Sequence, residues 1–223
     1  EFAEACAAAR LTFIGPSPKT MRMLGDKASA RRAAIAAGVP VVPASEVLPE
    51  PEGNMDAIRE MAEGVGYPLM LKASWGGGGR GMRPIMGADE LEEKVRAGRR
   101  EAEAAFGNGE GYLERLIPRA RHVEVQVLGD SQGNIVHLFE RDCTVQRRNQ
   151  KVVERAPAPY LTEEQRGVVC ELGLRIARHA GYECAGTVEF LMDMETGEFF
   201  FIEVNPRIQV EHTVTEEVTG IDI

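Results

Sequence analysis

Alternating apolar and polar positions mark two antiparallel hairpins in the sequence. Between residues 122 and 128, three valines alternate with Glu124 and Gln126, a period of two that indicates a half-buried strand. A turn-forming stretch at 130–134 and a second strand at 135–140 complete the first hairpin. Two further apolar runs within residues 186–204 flank a glycine-containing turn, and they predict a second hairpin.

Capping residues and helical periodicity predict the helices. Asp26 is a good N-cap for an alanine-rich helix at 26–38, and Thr162 with Gln165 forms a capping box for a helix that ends near Gly181. Other helices are predicted at 55–65 and 89–106, and other strands at 11–16, 67–73, 82–85 and 111–115. The chain is therefore predicted to be α+β with mostly antiparallel sheets.

Prolines and acidic residues at 44–53 separate two patterned stretches of the chain. Such a stretch is typical of a connection between structural units. We therefore expect three parts, at residues 1–43, 44–117 and 118–223.

Composition indicates an ordinary globular chain with an acidic balance. Of 223 residues, 43% are hydrophobic and 27% are charged, and 26 Lys and Arg against 35 Asp and Glu give a formal net charge of −9. This balance offers no broad cationic surface to nucleic acid or anionic lipid. The four cysteines lack metal-ligand spacing, which fits a reducing compartment. Neither a membrane span nor a signal peptide is predicted.

Two glutamates on the second hairpin form the first candidate site. A three-residue loop at 195–197 places Glu189 opposite Glu203, with the carboxylates roughly 5 Å apart. Their repulsion would raise both pKa values unless a cation sits between them. A site for Mg²⁺ or Mn²⁺ is one interpretation, and a solvated face with two unrelated glutamates is the other. The opposite face is predicted to be a core and carries Val188, Phe190, Met192, Phe200, Ile202 and Val204.

The segment that follows these glutamates adds further reactive groups. Residues 205–212 read Asn-Pro-Arg-Ile-Gln-Val-Glu-His and supply two amides, a guanidinium and a carboxylate. A metal site with a cation and a base beside it indicates an active site rather than a solvated surface.

A glycine-rich stretch forms the second candidate site. Residues 75–81 read Trp-Gly-Gly-Gly-Gly-Arg-Gly, lie between two predicted strands and follow Lys72 closely. Glycines let backbone N–H groups approach phosphate oxygens, and Lys72 would meet a phosphate charge. The spacing matches neither a Walker A loop nor a dinucleotide-binding GxGxxG. A flexible linker is the alternative, although a strand on each side disfavours it.

Other polar residues have an ordinary structural interpretation beside a functional one. Lys27, in the first turn of a helix, is usually only solvated, and His122 at a strand start is more often structural. Residues 140–151 carry four cations, which predicts either a solvated loop or an anion-facing one. We interpret Cys143 as a buried inert thiol, because no histidine lies near it in sequence.

Six motifs follow one another in order along the whole chain. They are Gly25-Asp26-Lys27, the segment 72–82, Arg121-His122-Val123-Glu124, Glu140-Arg141-Asp142-Cys143, Gln150-Lys151-Val152-Val153-Glu154 and the segment 205–216. Together they resemble biotin carboxylases of the ATP-grasp superfamily, and variants at 147–151, 156–160 and 210–216 are most similar to the pyruvate carboxylase branch. The alternatives are acetyl-CoA or propionyl-CoA carboxylases, another ATP-grasp ligase such as a carbamoyl-phosphate synthetase relative, and a nucleotide-binding module without chemistry.

The resemblance implies an ATP-grasp fold of two α+β subdomains that clamp ATP. Residues 1–43 would be the end of an N-terminal domain and a connecting helix, residues 44–117 the lid subdomain, and residues 118–223 a truncated core subdomain. The remaining N-terminal and C-terminal parts would lie outside this chain, so that the isolated chain would bind ATP without carboxylating biotin. The parent would be a homo-oligomer of the bacterial cytoplasm or the mitochondrial matrix.

The resemblance also implies ATP-dependent carboxylation of biotin by bicarbonate through carboxyphosphate, with biotin presented on a carrier domain. Glu211 would be the base, Lys151 would steady developing negative charge, and Arg207 with Gln209 and the Val210 amide would bind bicarbonate. Glu189, Glu203 and Asn205 would bind Mg²⁺ or Mn²⁺. The residues implied to bind ATP are Lys27, Lys72, Gly77, Gly78, Gly79, Glu114, Ile117, His122 and Gln146.

Overall fold

The computed structural model describes residues 1–74, 82–147 and 150–223. Its contacts divide the chain into two compact units. The larger unit combines Glu1–Val41, Arg119–Arg147 and Lys151–Ile223, and the smaller unit consists mainly of Val42–Pro118. From the sequence, residues 1–43 are expected to be a separate part of the chain. Residues 1–41 instead share a unit with the C-terminal half of the chain. Among the described residues, no helix combines the length and apolar character that a membrane crossing requires.

The described residues form seven α-helices and eight strands. The helices are α1 (Phe2–Ala8), α2 (Pro18–Gly25), α3 (Lys27–Ala36), α4 (Met55–Val65), α5 (Leu91–Phe106), α6 (Glu163–Ala180) and α7 (His212–Thr219). The strands are β1 (Leu69–Ala73), β2 (Arg83–Ile85), β3 (Gly111–Arg115), β4 (Ala120–Gly129), β5 (Ile135–Arg147), β6 (Gln150–Arg155), β7 (Cys184–Asp193) and β8 (Phe199–Asn205). These elements confirm the predicted α+β class with antiparallel sheets.

A five-stranded sheet in the order β6-β5-β4-β7-β8 organises the larger unit. The β4–β5, β4–β7 and β7–β8 pairs are antiparallel. Helix α6 packs against the β4 face that carries Val123, Val125 and Val127, and these side chains join one buried apolar cluster. Helix α7 packs against β5, and its buried Thr215 contacts Arg141 of that strand.

The smaller unit is a three-stranded antiparallel sheet in the order β2-β1-β3, with α4 and α5 packed beside it. Its core contains Ile58 and Val65 of α4, Leu69 and Leu71 of β1, and Val95 of α5. These apolar positions recur at helical and strand spacing, as burial of a single face requires.

Local capping chemistry fixes several helix starts where the sequence predicts them. The Asp26 carboxylate accepts a hydrogen bond from the Ser29 N–H at 2.8 Å and caps α3. At α6, the Thr162 hydroxyl and the Gln165 side chain each accept from the other's backbone N–H, which completes the predicted capping box. Both interactions satisfy backbone donors that a helix leaves unpaired at its first turn.

The strand predicted at 11–16 is wrong. These residues are irregular, and Leu11 and Ile14 are 65% and 91% exposed, because no strand in the described part of the chain pairs with this short apolar run. The following Ser17 instead caps α2 with Pro18 at its first position. Helices α1, α2 and α7 were not predicted.

The second hairpin is confirmed, but its register changes part-way. Glu189 lies opposite Glu203 as predicted, whereas a bulge after Glu189 pairs Phe190 with Phe201. A bulge inserts one residue and reverses the faces beyond it. Phe199 and Phe201 therefore lie in the core, and the predicted core positions Phe200 and Ile202 are only partly buried.

The polar face of β4 is also buried, which the half-buried prediction missed. Glu124 and Gln126 are 0% and 1% exposed. Residues 140–147 belong to β5 rather than to the predicted loop, and Arg141 is fully buried within that strand. A charged layer thus lies inside the larger unit, where each charge needs a partner.

A close backbone approach explains one glycine and gives a stability prediction. A Cβ at Gly129 would lie 2.2 Å from the Tyr182 carbonyl oxygen. We expect Gly129→Ala to lower the free energy of unfolding by about 1–3 kcal/mol, because the clash must shift backbone. Urea unfolding followed by circular dichroism measures this. Gly167→Ala, where a Cβ meets open space on α6, is the matched control and should not destabilise the chain. Equal losses in both variants would contradict the steric explanation.

Candidate active site

One line of charged residues crosses four strands of the larger sheet. Arg141 of β5 lies opposite Glu124 of β4, Glu124 lies opposite Glu189 of β7, and Glu189 lies opposite Glu203 of β8. Directly opposed residues of antiparallel strands project from the same face. Three glutamates in a row would repel one another, so this arrangement depends on cations placed around it.

Lys151 is the central cation of the site. Its Nζ lies 3.0 Å from Glu189 Oε1 and 2.9 Å from Glu211 Oε1, and it also forms an ion pair with Glu124. Burial by itself lowers the pKa of Lys151, but the surrounding carboxylates, Glu124 foremost, raise it well above its ordinary value. Lys151 therefore carries its charge at neutral pH and joins three acids from separate elements.

Glu189 is held ionised by its hydrogen-bond partners. His122 Nε2 lies 2.7 Å from Glu189 Oε2, and Asn205 Nδ2 donates to Glu189 Oε1 at 2.8 Å. Burial favours the neutral acid, but the hydrogen bond from His122 and the charge of Lys151 lower the pKa of Glu189 to about 2. The pKa rise expected for an uncompensated pair is therefore absent at Glu189, because Lys151 and two hydrogen-bond donors surround its carboxylate.

A glutamine sets the orientation of the imidazole. Gln146 Nε2 donates to His122 Nδ1 at 2.7 Å, which leaves the N–H of a neutral ring on Nε2, facing Glu189. The resemblance implied that both residues bind ATP, and the structure brings them together at the carboxylate row.

Glu203, Asn205 and Glu189 offer the hard oxygen donors that Mg²⁺ and Mn²⁺ prefer. The Glu203 side chain is partly exposed, and its Oε2 pairs with Lys27 Nζ at 3.4 Å. Lys27 begins α3, so the capped start of that helix places the lysine beside the carboxylate. Glu203 supplies the accessible carboxylate of this set, whereas both oxygens of Glu189 already contact Lys151, Asn205 or His122.

Glu211 and Arg207 lie on either side of Gln209 in the segment that follows β8. Glu211 is buried at the start of α7, and although burial raises its pKa, the hydrogen bond and charge of Lys151 lower it overall. The Arg207 guanidinium is exposed and contacts Asn205 Oδ1 at 3.5 Å. Gln209 Oε1 is buried without a hydrogen-bond partner in the described part of the chain, and Val210 is 86% exposed.

Comparison with known proteins shows which family the chain belongs to. Residues 26–223 match the model of the carbamoyl-phosphate synthase L chain, ATP binding domain. The chain belongs to this family. The match covers the charged row, Lys151, Glu211 and the smaller unit alike.

Relatives of this ATP-binding domain are carboxylases. Pyruvate carboxylase 1 of Caenorhabditis elegans is 56% identical over all 223 residues, and biotin carboxylase of Nostoc sp. is 49% identical over the same length. The chain spans 19% of the first protein and 49% of the second. The resemblance to biotin carboxylases that the six motifs indicated is confirmed.

A solved structure of a related carboxylase domain supports the same fold. The biotin carboxylase domain of the Hydrogenobacter thermophilus 2-oxoglutarate carboxylase, in complex with MgADP, ADP and bicarbonate, has a TM-score of 0.89 and 47% identity. The match covers 100% of this chain and 48% of that one. The chain therefore has the fold of a biotin carboxylase ATP-binding region.

In the smaller unit of this ATP-binding domain, two predicted nucleotide contacts form an ion pair. Lys72 at the end of β1 pairs with the buried Glu114 of β3. Ile117 is the second residue after β3. The predicted phosphate contacts Gly77, Gly78 and Gly79 lie outside the described residues.

Sequence reasoning missed the buried pair that supports the site. Arg141 Nε donates to Glu124 Oε1 at 2.5 Å, and neither side chain is exposed. Both residues stand in motifs identified from the sequence, but the alternation along β4 was interpreted as a solvated polar face. Aligning Glu124 with Glu189 across the sheet is the signal that would have found them.

Burial raises the pKa of Cys143 far above its ordinary value, which favours the inert-thiol interpretation.

Proposed function

We propose that this chain provides the ATP site and most of the bicarbonate chemistry of a biotin carboxylase within a pyruvate carboxylase. Its parent would carboxylate biotin with ATP and bicarbonate, through carboxyphosphate, and receive biotin on a carrier domain. The observation that carries the proposal is Lys151, held by Glu124, Glu189 and Glu211 beside the Asn205–Arg207 segment. The whole-chain relationship to carboxylases supports it. The parent's compartment would be the bacterial cytoplasm or the mitochondrial matrix.

Glu189, Glu203 and Asn205 would hold Mg²⁺ or Mn²⁺. When bound, such an ion neutralises phosphate charge and assists in-line phosphoryl transfer. Lys27 already faces Glu203 and would also contact phosphate oxygens. In the smaller unit, Lys72 and Glu114 are proposed to contact the triphosphate and the adenine, with Ile117 and the three loop glycines as further contacts.

Bicarbonate would lie against the Arg207 guanidinium, whose planar donors match a planar oxyanion. Gln209 and the Val210 N–H would complete its binding. The lowered pKa of Glu211 keeps its carboxylate ionised at neutral pH and able to accept the bicarbonate proton. The deprotonated oxygen then attacks the γ-phosphorus, ADP leaves, and Lys151 stabilises the negative charge that develops.

The decisive assay uses the full-length protein that contains this chain. We expect ATP cleavage, measured as phosphate release, to require bicarbonate and to increase with free biotin. Isothermal titration with ATP in the absence of bicarbonate serves as the binding control. Retained ATP binding without bicarbonate-dependent cleavage would support a nucleotide-binding module instead, and cleavage that ignores bicarbonate would indicate another ligase.

A further inference from the structure

Arg141 is fully enclosed in the larger unit's active site, as is its partner Glu124. Beyond its bond to Glu124, its Nη1 donates to Gln126 Oε1 at 2.8 Å and to Thr215 Oγ1 at 2.8 Å. Its Nη2 lies 3.4 Å from Thr187 Oγ1. One guanidinium on β5 thus joins side chains of two other strands, β4 and β7, to a residue of α7.

These contacts form a closed ring of linked residues, and the proposed base, Glu211, is one of them. Arg141 holds Glu124, Glu124 pairs with Lys151, and Lys151 lies 2.9 Å from Glu211. Glu211 precedes α7 directly, and Thr215, one helical turn further on, returns to Arg141. Side chains therefore form every link of the ring except one, which is the first turn of α7.

We propose that Arg141 and Thr215 are positioning residues that fix Lys151 and Glu211 relative to each other. The inference rests on the proposed carboxylation chemistry. Lys151 faces three competing carboxylates, so its place depends on how firmly Glu124 is held. Glu211 sits at a helix start, so its place depends on how α7 is held. Arg141 controls both, because the same guanidinium anchors Glu124 and α7.

Stability alone does not account for such a network. Replacing a buried ion pair with apolar side chains of similar volume often leaves the stability of a protein unchanged or increases it. A planar guanidinium with several partners at defined angles instead specifies one arrangement of the groups around it. Small displacements of reacting groups have large effects on rate, so this arrangement matters to the chemical step.

Thr215 offers the mildest test, because valine keeps its shape and removes only the hydroxyl. In the full-length protein, we expect Thr215→Val to lower kcat for bicarbonate-dependent ATP cleavage about tenfold, with the KM for ATP unchanged. Thr215→Ser keeps the hydroxyl and should restore most of the rate. Thr12→Val makes the same change at an exposed position outside this network, so it is the control and should behave like wild type.

The outcomes separate a positioning role from a structural one. An unchanged kcat for Thr215→Val overturns the proposal. An equal loss in Thr215→Ser or Thr12→Val, or a loss that only follows the folded fraction, overturns it as well. If Thr215→Val does not fold, Thr215→Ala removes the same hydroxyl and carries the same expectation. A wild-type protein whose ATP cleavage ignores bicarbonate counts against the proposed function itself, not against the positioning role.

Discussion

Replacing Glu211 with glutamine is expected to lower bicarbonate-dependent ATP cleavage by about 10²- to 10⁴-fold, the usual contribution of a positioned general base. Glutamine keeps a carbonyl oxygen that accepts the hydrogen bond from Lys151, which lies 2.9 Å from the native carboxylate. The change therefore removes proton acceptance while it preserves the surrounding contacts. Initial rates of phosphate release at saturating ATP and bicarbonate measure the effect.

The matched control for this substitution is Glu217→Gln, an exposed glutamate on the same helix. It makes the same change in charge and size away from the carboxylate row and should retain the wild-type rate. ATP binding should be equal in both variants, because Glu211 is assigned to bicarbonate and not to the nucleotide. A Glu211→Gln protein as fast as Glu217→Gln would show that another group accepts the proton.

Locally determined features of the fold were predictable from the sequence. The capped starts of α3 and α6 and the hairpin formed by β4 and β5 follow from residues that lie close together in the chain. Such features need no knowledge of what packs above or below them. The pairing of Glu189 with Glu203 was also predicted, but it depends on the bulge, because the register beside the turn would place Glu189 opposite Ile202.

Features that depend on distant packing were not predictable. A strand pattern with valines on one face and Glu124 on the other fits a solvated sheet equally well, until α7 covers the polar side. Residues 11–16 have the apolar character of a strand but lack a neighbour to pair with among the described residues. The bulge after Glu189 leaves no clear sign in composition, yet it exchanges Phe200 for Phe201 in the core.

The candidate site also has residues that the sequence indicates and residues whose placement only the folded sheet shows. Residue types and spacing indicated Glu189, Glu203, Arg207 and Glu211, because carboxylates and a guanidinium so close in sequence suggest shared chemistry. The placement of Lys151 among three acids depends on β6 meeting β4, β7 and the start of α7, which no local pattern reveals. Arg141 was hidden for the same reason, since only the complete sheet shows that it lies inside the unit.

Lys151→Met should produce a large loss of stability. It leaves Glu124, Glu189 and Glu211 close together without their shared cation. Removing one partner of a buried ion pair lowers the free energy of unfolding by about 3–5 kcal/mol. Urea unfolding at pH 7 measures this free energy. Lys19→Met makes the same substitution at an exposed position and should have little effect.

The dependence on pH distinguishes this electrostatic cause from lost packing. Glu189 has a folded-state pKa of about 2 against an ordinary value of 4.5, so its ionised form adds stability above pH 4.5 that disappears as the pH falls towards 2. Lys151 supplies part of that lowering, and Glu211 is lowered in the same direction. The stability gap between wild type and Lys151→Met should therefore be full at pH 7 and narrow on acidification, because protonated carboxylates no longer need the lysine. A gap that stays constant from pH 7 to pH 3 would mean that the methionine disturbs packing rather than charge.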